Sequence, residues 1–462
     1  MAYQTINPAT GELLESFDDH DDAELGRRLA AADDAFLQLR DTTFEQRAGW
    51  TRAAADLLDA EIDDIARTMT TEMGKPLAQA RAEVSKCAKG LRFYADNAER
   101  FLAPVPYDAD AVGARRAYLQ YQPLGTVLAV MPWNFPLWQV IRFAAPALMA
   151  GNTGVLKHAS SVPQTAQYLD ELFPRAGFPE GAFRNLFVGS KRIAGIIADD
   201  RIKAATLTGS EGAGRAVAAA AGEHLKKTVL ELGGSDPFVV MPTADLREAA
   251  RVATTARCQN NGQSCIAAKR FIVHTDVYDE FADLFVEAMA SQTVGDPMDD
   301  GTDIGPLATE QGRTDVEEAV ADAVDKGAKV LCGGERPDRP GWYYPPTVVS
   351  GITPDMAMYA EEVFGPVAGL YRVADYDEAV ALSNGTTFGL GANAWTADAA
   401  EQDAFARDLV AGLVFINGMV ASYPPLPFGG VKSSGYGREL SDLGIKEFCN
   451  AKTVWIGGPE PS

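Results

Sequence analysis

From Gly125 to Thr208 the chain alternates short, apolar, β-branched runs with helical stretches, and this recurrence restricts it to an α/β fold built on a parallel sheet. Gly125-Thr126-Val127-Leu128-Ala129-Val130-Met131 reads as a buried strand, residues 137–150 as an apolar helix closed by Gly151-Asn152, and Thr153-Gly154-Val155-Leu156-Lys157 as the next strand. A helix over 162–175, a strand over 183–188, a helix over 193–199 and a strand over 204–208 continue the series. Crossovers between parallel strands keep one hand, so this order implies a doubly wound sheet. Thr228-Val229-Leu230-Glu231-Leu232-Gly233-Gly234 ends a further strand and is expected to be the hinge to a second α/β lobe. There, helices over 246–258, 277–289 and 309–326 alternate with strands over 271–274 and 329–331. A hairpin about Asn7-Pro8-Ala9-Thr10-Gly11-Glu12 opens the chain, and helical periodicity over 22–40, from 44 to about 71, and on to about 102 reads as packing scaffold. Residues 115–122 alternate like an exposed strand, and 452–456 read as a terminal one.

The 462 residues carry a net charge of −23, which argues against nucleic acid or an anionic membrane as a partner, since both need a basic surface. Only 14 of the 41 basic residues are Lys, and acidic clusters such as Asp18-Asp19-His20-Asp21-Asp22 recur along the chain. That pattern is expected of a protein adapted to high salt, where self-repulsion is screened; full stability in dilute buffer, read by circular dichroism across a salt titration, would count against it. The N-terminus shows neither a basic nor an apolar leader segment, and no apolar run approaches a bilayer span, so a soluble, cytoplasmic protein is expected. Five cysteines at wide spacing, with no C-x-x-C pair, indicate neither a disulfide framework nor a metal site.

One cysteine stands out. Cys258-Gln259-Asn260-Asn261-Gly262-Gln263-Ser264-Cys265 runs from a helix through a loop signal into the strand-like Ile266-Ala267-Ala268-Lys269-Arg270-Phe271-Ile272-Val273. Cys265 is thereby placed where backbone amides are free, so a thiolate there can attack a carbonyl and leave the resulting oxyanion hydrogen-bonded. Gly209-Ser210-Glu211-Gly212-Ala213-Gly214 is a glycine-rich turn from strand to helix, suited to seating a phosphate on the helix N-terminus.

Pro132-Trp133-Asn134-Phe135-Pro136, Leu207-Thr208-Gly209-Ser210, Glu231-Leu232-Gly233-Gly234, Gly262-Gln263-Ser264-Cys265, Glu361-Glu362-Val363-Phe364-Gly365-Pro366 and Pro427-Phe428-Gly429-Gly430 follow one another in the order seen in the aldehyde dehydrogenase superfamily. The chain resembles that superfamily over essentially its whole length. The resemblance implies an α/β fold with a Rossmann-like cofactor domain (1–103 and 125–232), an α/β catalytic domain (233–432) and a small β oligomerisation arm with the C-terminal tail (104–124 and 433–462). It implies that Cys265 is the nucleophile, Glu231 the general base and Asn134 the side-chain donor of the oxyanion hole. For the cofactor it places Lys157 at the adenosine ribose, and Gly189, Gly209 and Ser210 near the pyrophosphate and adenine. Trp133 and Leu232 fall along the cleft, with Glu362 and Phe364 at the nicotinamide ribose and ring.

Ser160 stands three residues after Lys157, where many relatives have Glu. A carboxylate there binds the ribose diol and repels a 2′-phosphate, so either NAD or NADP is implied here. The resemblance is strongest to the succinate-semialdehyde branch, and it implies Arg142 and Ser422 as substrate contacts, Arg142 for a distal carboxylate. Gln259 departs from members that carry a second arginine. Succinate semialdehyde is therefore the implied substrate, with another semialdehyde or a general aliphatic aldehyde as alternatives. A cofactor-free cysteine hydrolase would need a histidine partner that the motifs do not supply, and a non-enzymatic structural protein on the same fold is the remaining alternative. Relatives pair strand arms across subunits, which implies a homodimer or homotetramer.

Overall fold

The computed structural model describes residues 3–458; the ends of the expected arm and cofactor domain, 459–462 and 1–2, lie outside the described residues. Two sheets organise the chain. The first has six strands in the spatial order Gly435–Tyr436, Lys227–Glu231, Ile202–Thr208, Thr126–Val130, Thr153–Lys157, Phe183–Asn185, all parallel except the first. From the central strand Thr126–Val130 the chain winds outward to one edge, then returns to fill the other side. The direction of winding therefore reverses between Thr126–Val130 and Ile202–Thr208, and a crevice opens at their carboxyl ends, where such sheets bind ligands.

The second sheet has seven strands in the order Lys329–Cys332, Thr347–Ser350, Val367–Val373, Ala268–His274, Asp236–Val240, Gly391–Trp395, Leu413–Ile416, again parallel except the first. Its inner strands are buried along almost their whole length, as their near-continuous apolar runs require. The motif Glu361-Glu362-Val363-Phe364-Gly365-Pro366 runs straight into one of these strands, whose first residue Val367 is paired with Thr347.

Most expected helices appear within a residue or two of their expected bounds. The long signal from 44 to about 71 is two helices, Phe44–Ala60 and Ile62–Met73, broken at Glu61. The stretch read as a glycine-rich turn is helical from Glu211 on, so the turn proper is Gly209-Ser210, and the Ser210 hydroxyl accepts from the Ala213 N–H at 3.4 Å.

The two strands expected to be exposed pair with each other. Arg116–Pro123 runs antiparallel to Cys449–Ile456 from Arg116↔Ile456 to Pro123↔Cys449, with Val105–Tyr107 on its far side. This three-stranded arm presents Tyr107 and Trp455 to solvent. Among the described residues, no helix is long and apolar enough to cross a membrane.

Candidate active site

The turn that carries Cys265 is fixed by three successive residues in the left-handed region: Asn260 (φ 58°), Asn261 (φ 57°) and Gly262 (φ 73°). Asparagine tolerates that conformation, and here its side chains bolt the turn in place. Asn260 Nδ2 donates to the carbonyls of Asn134 and Gln263, both at 2.9 Å, while Asn261 Nδ2 donates to those of Gly74 (2.9 Å) and Pro306 (2.8 Å). At Gly262 a β-carbon would collide with the Gly365–Pro366 backbone, so only glycine fits. The helix Leu246–Cys258 is thereby turned sharply back, and Cys265 emerges just before the strand Ala268–His274.

Cys265 lines a cleft with Pro132, Trp133, Asn134, Thr208, Gly209, Ser210, Leu232, Gly233, Glu362 and Phe364. Eight of the sequence-derived site residues thus meet on one surface at the crevice between the sheets. The edge of Trp133 meets Phe364 across it, with ring centroids 5.7 Å apart. The Asn134 side chain is buried and gives one amide hydrogen to the Gln263 carbonyl at 3.2 Å, leaving the second free. The Cys265 backbone N–H has no hydrogen-bond partner among the described residues. Two donors are therefore available beside the thiol.

The loop that holds Asn134 is itself braced. His158 is fully buried, with Nε2 at 2.8 Å from the Pro136 carbonyl and Nδ1 at 3.3 Å from that of Met131. Burial pulls its imidazole down to about 4, so it is neutral. Glu83 accepts the N–H groups of Leu137 (3.0 Å) and Trp138 (2.9 Å) at the start of the helix Trp138–Ala150. It is also ion-paired with Lys75, whose ammonium stands 4.4 Å from the centroid of Phe135. Sequence reading took both residues for scaffold, since nothing local marks a helix-capping carboxylate 54 residues away.

Burial pushes the Cys265 thiol up to about 12, against the opposing pull of Arg142 and then Lys269. Burial therefore favours the thiol at rest, and its proton must leave before the sulfur can attack. Lys269, which sequence reading also passed over, donates to the carbonyls of Ser264 (2.9 Å) and Cys265 (2.8 Å) and is paired with Glu362 at 3.0 Å.

Glu231 ends the strand Lys227–Glu231 but does not line the cleft. Among the described residues neither carboxyl oxygen has a hydrogen-bond partner, and Oε1 lies so near Gly429 that a β-carbon there would approach it to 2.7 Å. Burial, then the neighbouring Glu439, drives its carboxyl well above the usual range, against the pull of Arg142.

Arg142 differs most from expectation. Its guanidinium is 2% exposed, is ion-paired through Nε with Glu439, stands 4.4 Å from the ring centroid of Phe428, and donates through a terminal nitrogen to Oγ1 of the cleft residue Thr208 at 3.4 Å. An arginine on so apolar a helix needs a counter-charge, and the chain supplies one. Ser422 is buried, and its hydroxyl accepts from Trp138 Nε1 at 3.0 Å.

Lys157, Ser160 and Gly189 lie at or just beyond the carboxyl ends of two neighbouring strands, away from the cleft around Cys265. Lys157 has no ion-pair or side-chain hydrogen-bond partner among the described residues, and burial lowers its pKa. A β-carbon at Gly189 would meet nothing within 4 Å, and one at Gly209 only a methyl of Leu207 at 3.6 Å. An unpaired cation beside open glycines and the capped start of Glu211–Glu223 fits a long, phosphate-bearing cofactor.

A model of the aldehyde dehydrogenase family matches residues 1–454. The chain belongs to that family. It is 64% identical over 458 residues to a succinate-semialdehyde dehydrogenase (NADP+) of Mycobacterium avium, covering 99% of this chain and 97% of that one. It is 62% identical over 456 residues to succinate-semialdehyde dehydrogenase (NADP+) 1 of Mycobacterium tuberculosis strain H37Rv, covering 99% and 100%. The crystal structure of succinic semialdehyde dehydrogenase from Streptococcus pyogenes in complex with NADP+ superposes with a TM-score of 0.96 at 40% identity, covering 99% of this chain and 100% of that one. The chain is thus an NAD(P)-dependent oxidoreductase of aldehydes with the α/β architecture of that family.

Proposed function

We propose that this enzyme oxidises succinate semialdehyde to succinate with NADP. The observation that carries the reading is the shared surface of Cys265, Asn134, Glu362 and Phe364, which sets a nucleophile and an oxyanion donor beside residues suited to a nicotinamide. Identity of 62–64% to proteins named for this activity supports the substrate and the cofactor. Ser160, in place of a carboxylate, leaves room for a 2′-phosphate.

Cys265 gives its proton to water and its sulfur adds to the aldehyde carbon, whose carbonyl π bond opens to leave the charge on oxygen. The oxyanion is received by the free Asn134 amide hydrogen and the Cys265 N–H. As the carbonyl re-forms, the aldehyde hydrogen leaves with its electron pair and a thioester remains on Cys265; a bound nicotinamide would supply the acceptor for that hydride. Glu231, once deprotonated and turned toward the thioester, takes a proton from the water that hydrolyses it. Lys157 and Gly189 bind the adenosine side, Gly209, Ser210, Trp133 and Leu232 the middle, and Glu362 with Phe364 the nicotinamide side. Initial rates with succinate semialdehyde and butanal, each with NAD and NADP, test this. The expected order puts the semialdehyde with NADP first; equal kcat/KM for both aldehydes contradicts the substrate.

We also infer a homo-oligomer of cytoplasmic location, supported by the solvent-facing arm and the outer edges of Val105–Tyr107 and Cys449–Ile456, which invite pairing. Light scattering that finds a fully active monomer contradicts the assembly, and fractionation of the source cells tests the location.

A further inference from the structure

Lys269 is the second residue of the strand Ala268–His274 and is buried. Its ammonium has an acceptor for each of its N–H groups: the carbonyls of Ser264 at 2.9 Å and Cys265 at 2.8 Å, and the Glu362 carboxylate at 3.0 Å. Glu362 is the counter-charge that a buried ammonium needs. The two carbonyls are less ordinary partners, because they belong to the peptide units on either side of the Cys265 α-carbon.

The chain makes room for this arrangement. A β-carbon at Gly233 would collide with the Glu362 carboxylate, and one at Gly234 would approach the Cys265 carbonyl to 2.7 Å. Both glycines of Glu231-Leu232-Gly233-Gly234 are therefore required where the two ends of the Lys269 network close. The Ser264 carbonyl is fixed a second time by the Ala267 N–H at 3.1 Å.

That carbonyl and the Cys265 N–H are opposite ends of one planar, resonance-coupled peptide unit. A cation on the oxygen draws electron density from the nitrogen, and hydrogen bonds in series strengthen one another in this way, so the N–H becomes a better donor. Fixing the oxygen also fixes the plane, and with it the direction in which the N–H points. We propose that Lys269 is a positioning residue for the oxyanion hole: it orients and polarises the Ser264–Cys265 peptide so that the Cys265 N–H receives the charge that develops when the sulfur adds to a carbonyl. This rests on the reading of Cys265 as the nucleophile. Lys269 also favours the Cys265 thiolate, after Arg142, and that effect has to be separated from the one on the oxyanion.

Two reagents separate them. With p-nitrophenyl acetate the sulfur adds to the ester carbon through an oxyanion; the carbonyl then re-forms, p-nitrophenolate leaves with the bonding pair, and an acetyl thioester remains on Cys265. Iodoacetamide alkylates the same sulfur by direct displacement of iodide, with no oxyanion. The ratio of the two rate constants at one pH therefore cancels the thiolate fraction and reports the oxyanion donors, and it needs neither semialdehyde nor NADP. The ratio is measured for wild type, Lys269→Met and Lys269→Arg, with the label located on Cys265 by peptide mass mapping and thermal unfolding followed in parallel. Lys269→Met is expected to lower it about 10- to 100-fold, short of the roughly 100- to 1,000-fold that loss of a whole oxyanion donor costs. Lys269→Arg keeps the charge and can fork across both carbonyls, so it is expected to restore most of the ratio. If Lys269→Met does not fold, the neutral but polar Lys269→Gln takes its place with the same expected fall. A folded neutral variant with the wild-type ratio, whatever its Tm, overturns the role and leaves Lys269 a structural ion pair; wild-type enzyme that neither reagent labels at Cys265 overturns the nucleophile and this role together.

Discussion

Arg142 and Glu439 form an ion pair whose side chains are 2% and 6% exposed, and the charge of Arg142 acts on both the general-base candidate Glu231 and the nucleophile Cys265. Removing one member strands the other charge away from water, which costs about 3–5 kcal/mol. Arg142→Ala is therefore expected to lose stability in urea by about that amount. It should depress activity on succinate semialdehyde and butanal alike. A selective loss of the semialdehyde with unchanged stability would return Arg142 to the substrate.

The pair also sets the pH response of Glu231. A carboxyl raised by burial and by Glu439 stays protonated until the pH rises through its elevated pKa, and only then can it act as a base. The acidic limb of kcat should therefore lie above the range of an ordinary carboxylate. In Glu439→Gln the repelling charge is gone and Arg142 acts undiminished. Both effects favour the Glu231 carboxylate, so the limb should move to lower pH. A pH–kcat profile that stays in place in a folded Glu439→Gln enzyme contradicts the coupling.

Much of this site was legible in the sequence because its parts are local. Asn260-Asn261-Gly262 announces a turn, and a strand running into Pro132-Trp133-Asn134-Phe135-Pro136 announces the carboxyl edge of a sheet. The helix Leu246–Cys258 has the bounds its periodicity predicts, and the structure adds Asp245 as its cap. What stayed hidden is pairing between distant segments. Glu439, Glu83 and Lys86 each look like a solvated charge on a helical or glycine-rich stretch, and only the fold brings Arg142, Lys75 and Ser422 to them. The strand Asp236–Val240 escaped for another reason: it opens Asp-Pro, which reads as a breaker, yet there Asp236 accepts the Gly391 N–H at 3.0 Å.

Cofactor choice is expected to turn on Ser160. Ser160→Glu places a carboxylate near the Lys157 end of the cofactor site, where it repels a 2′-phosphate and accepts from a ribose diol. The ratio of kcat/KM for NADP to that for NAD should fall by about 10-fold or more, since like charges brought together cost several kcal/mol. An unchanged ratio would place the adenosine ribose elsewhere.

Cys265→Ala should leave turnover at less than about a thousandth of wild type, as loss of a nucleophile does. Cofactor binding, read by tryptophan fluorescence, should persist. Residual turnover well above that level would remove Cys265 from the chemistry.

The division of labour between Cys265 and Glu231 is tested most directly by trapping. Glu231→Gln keeps the thiol and both oxyanion donors but lacks the base, so mixing it with succinate semialdehyde and NADP should give a single burst of NADPH and then stall. Acid quenching and peptide mass mapping should find one succinyl group on Cys265. A burst that leaves Cys265 unmodified, or continued turnover at the wild-type rate, contradicts the mechanism.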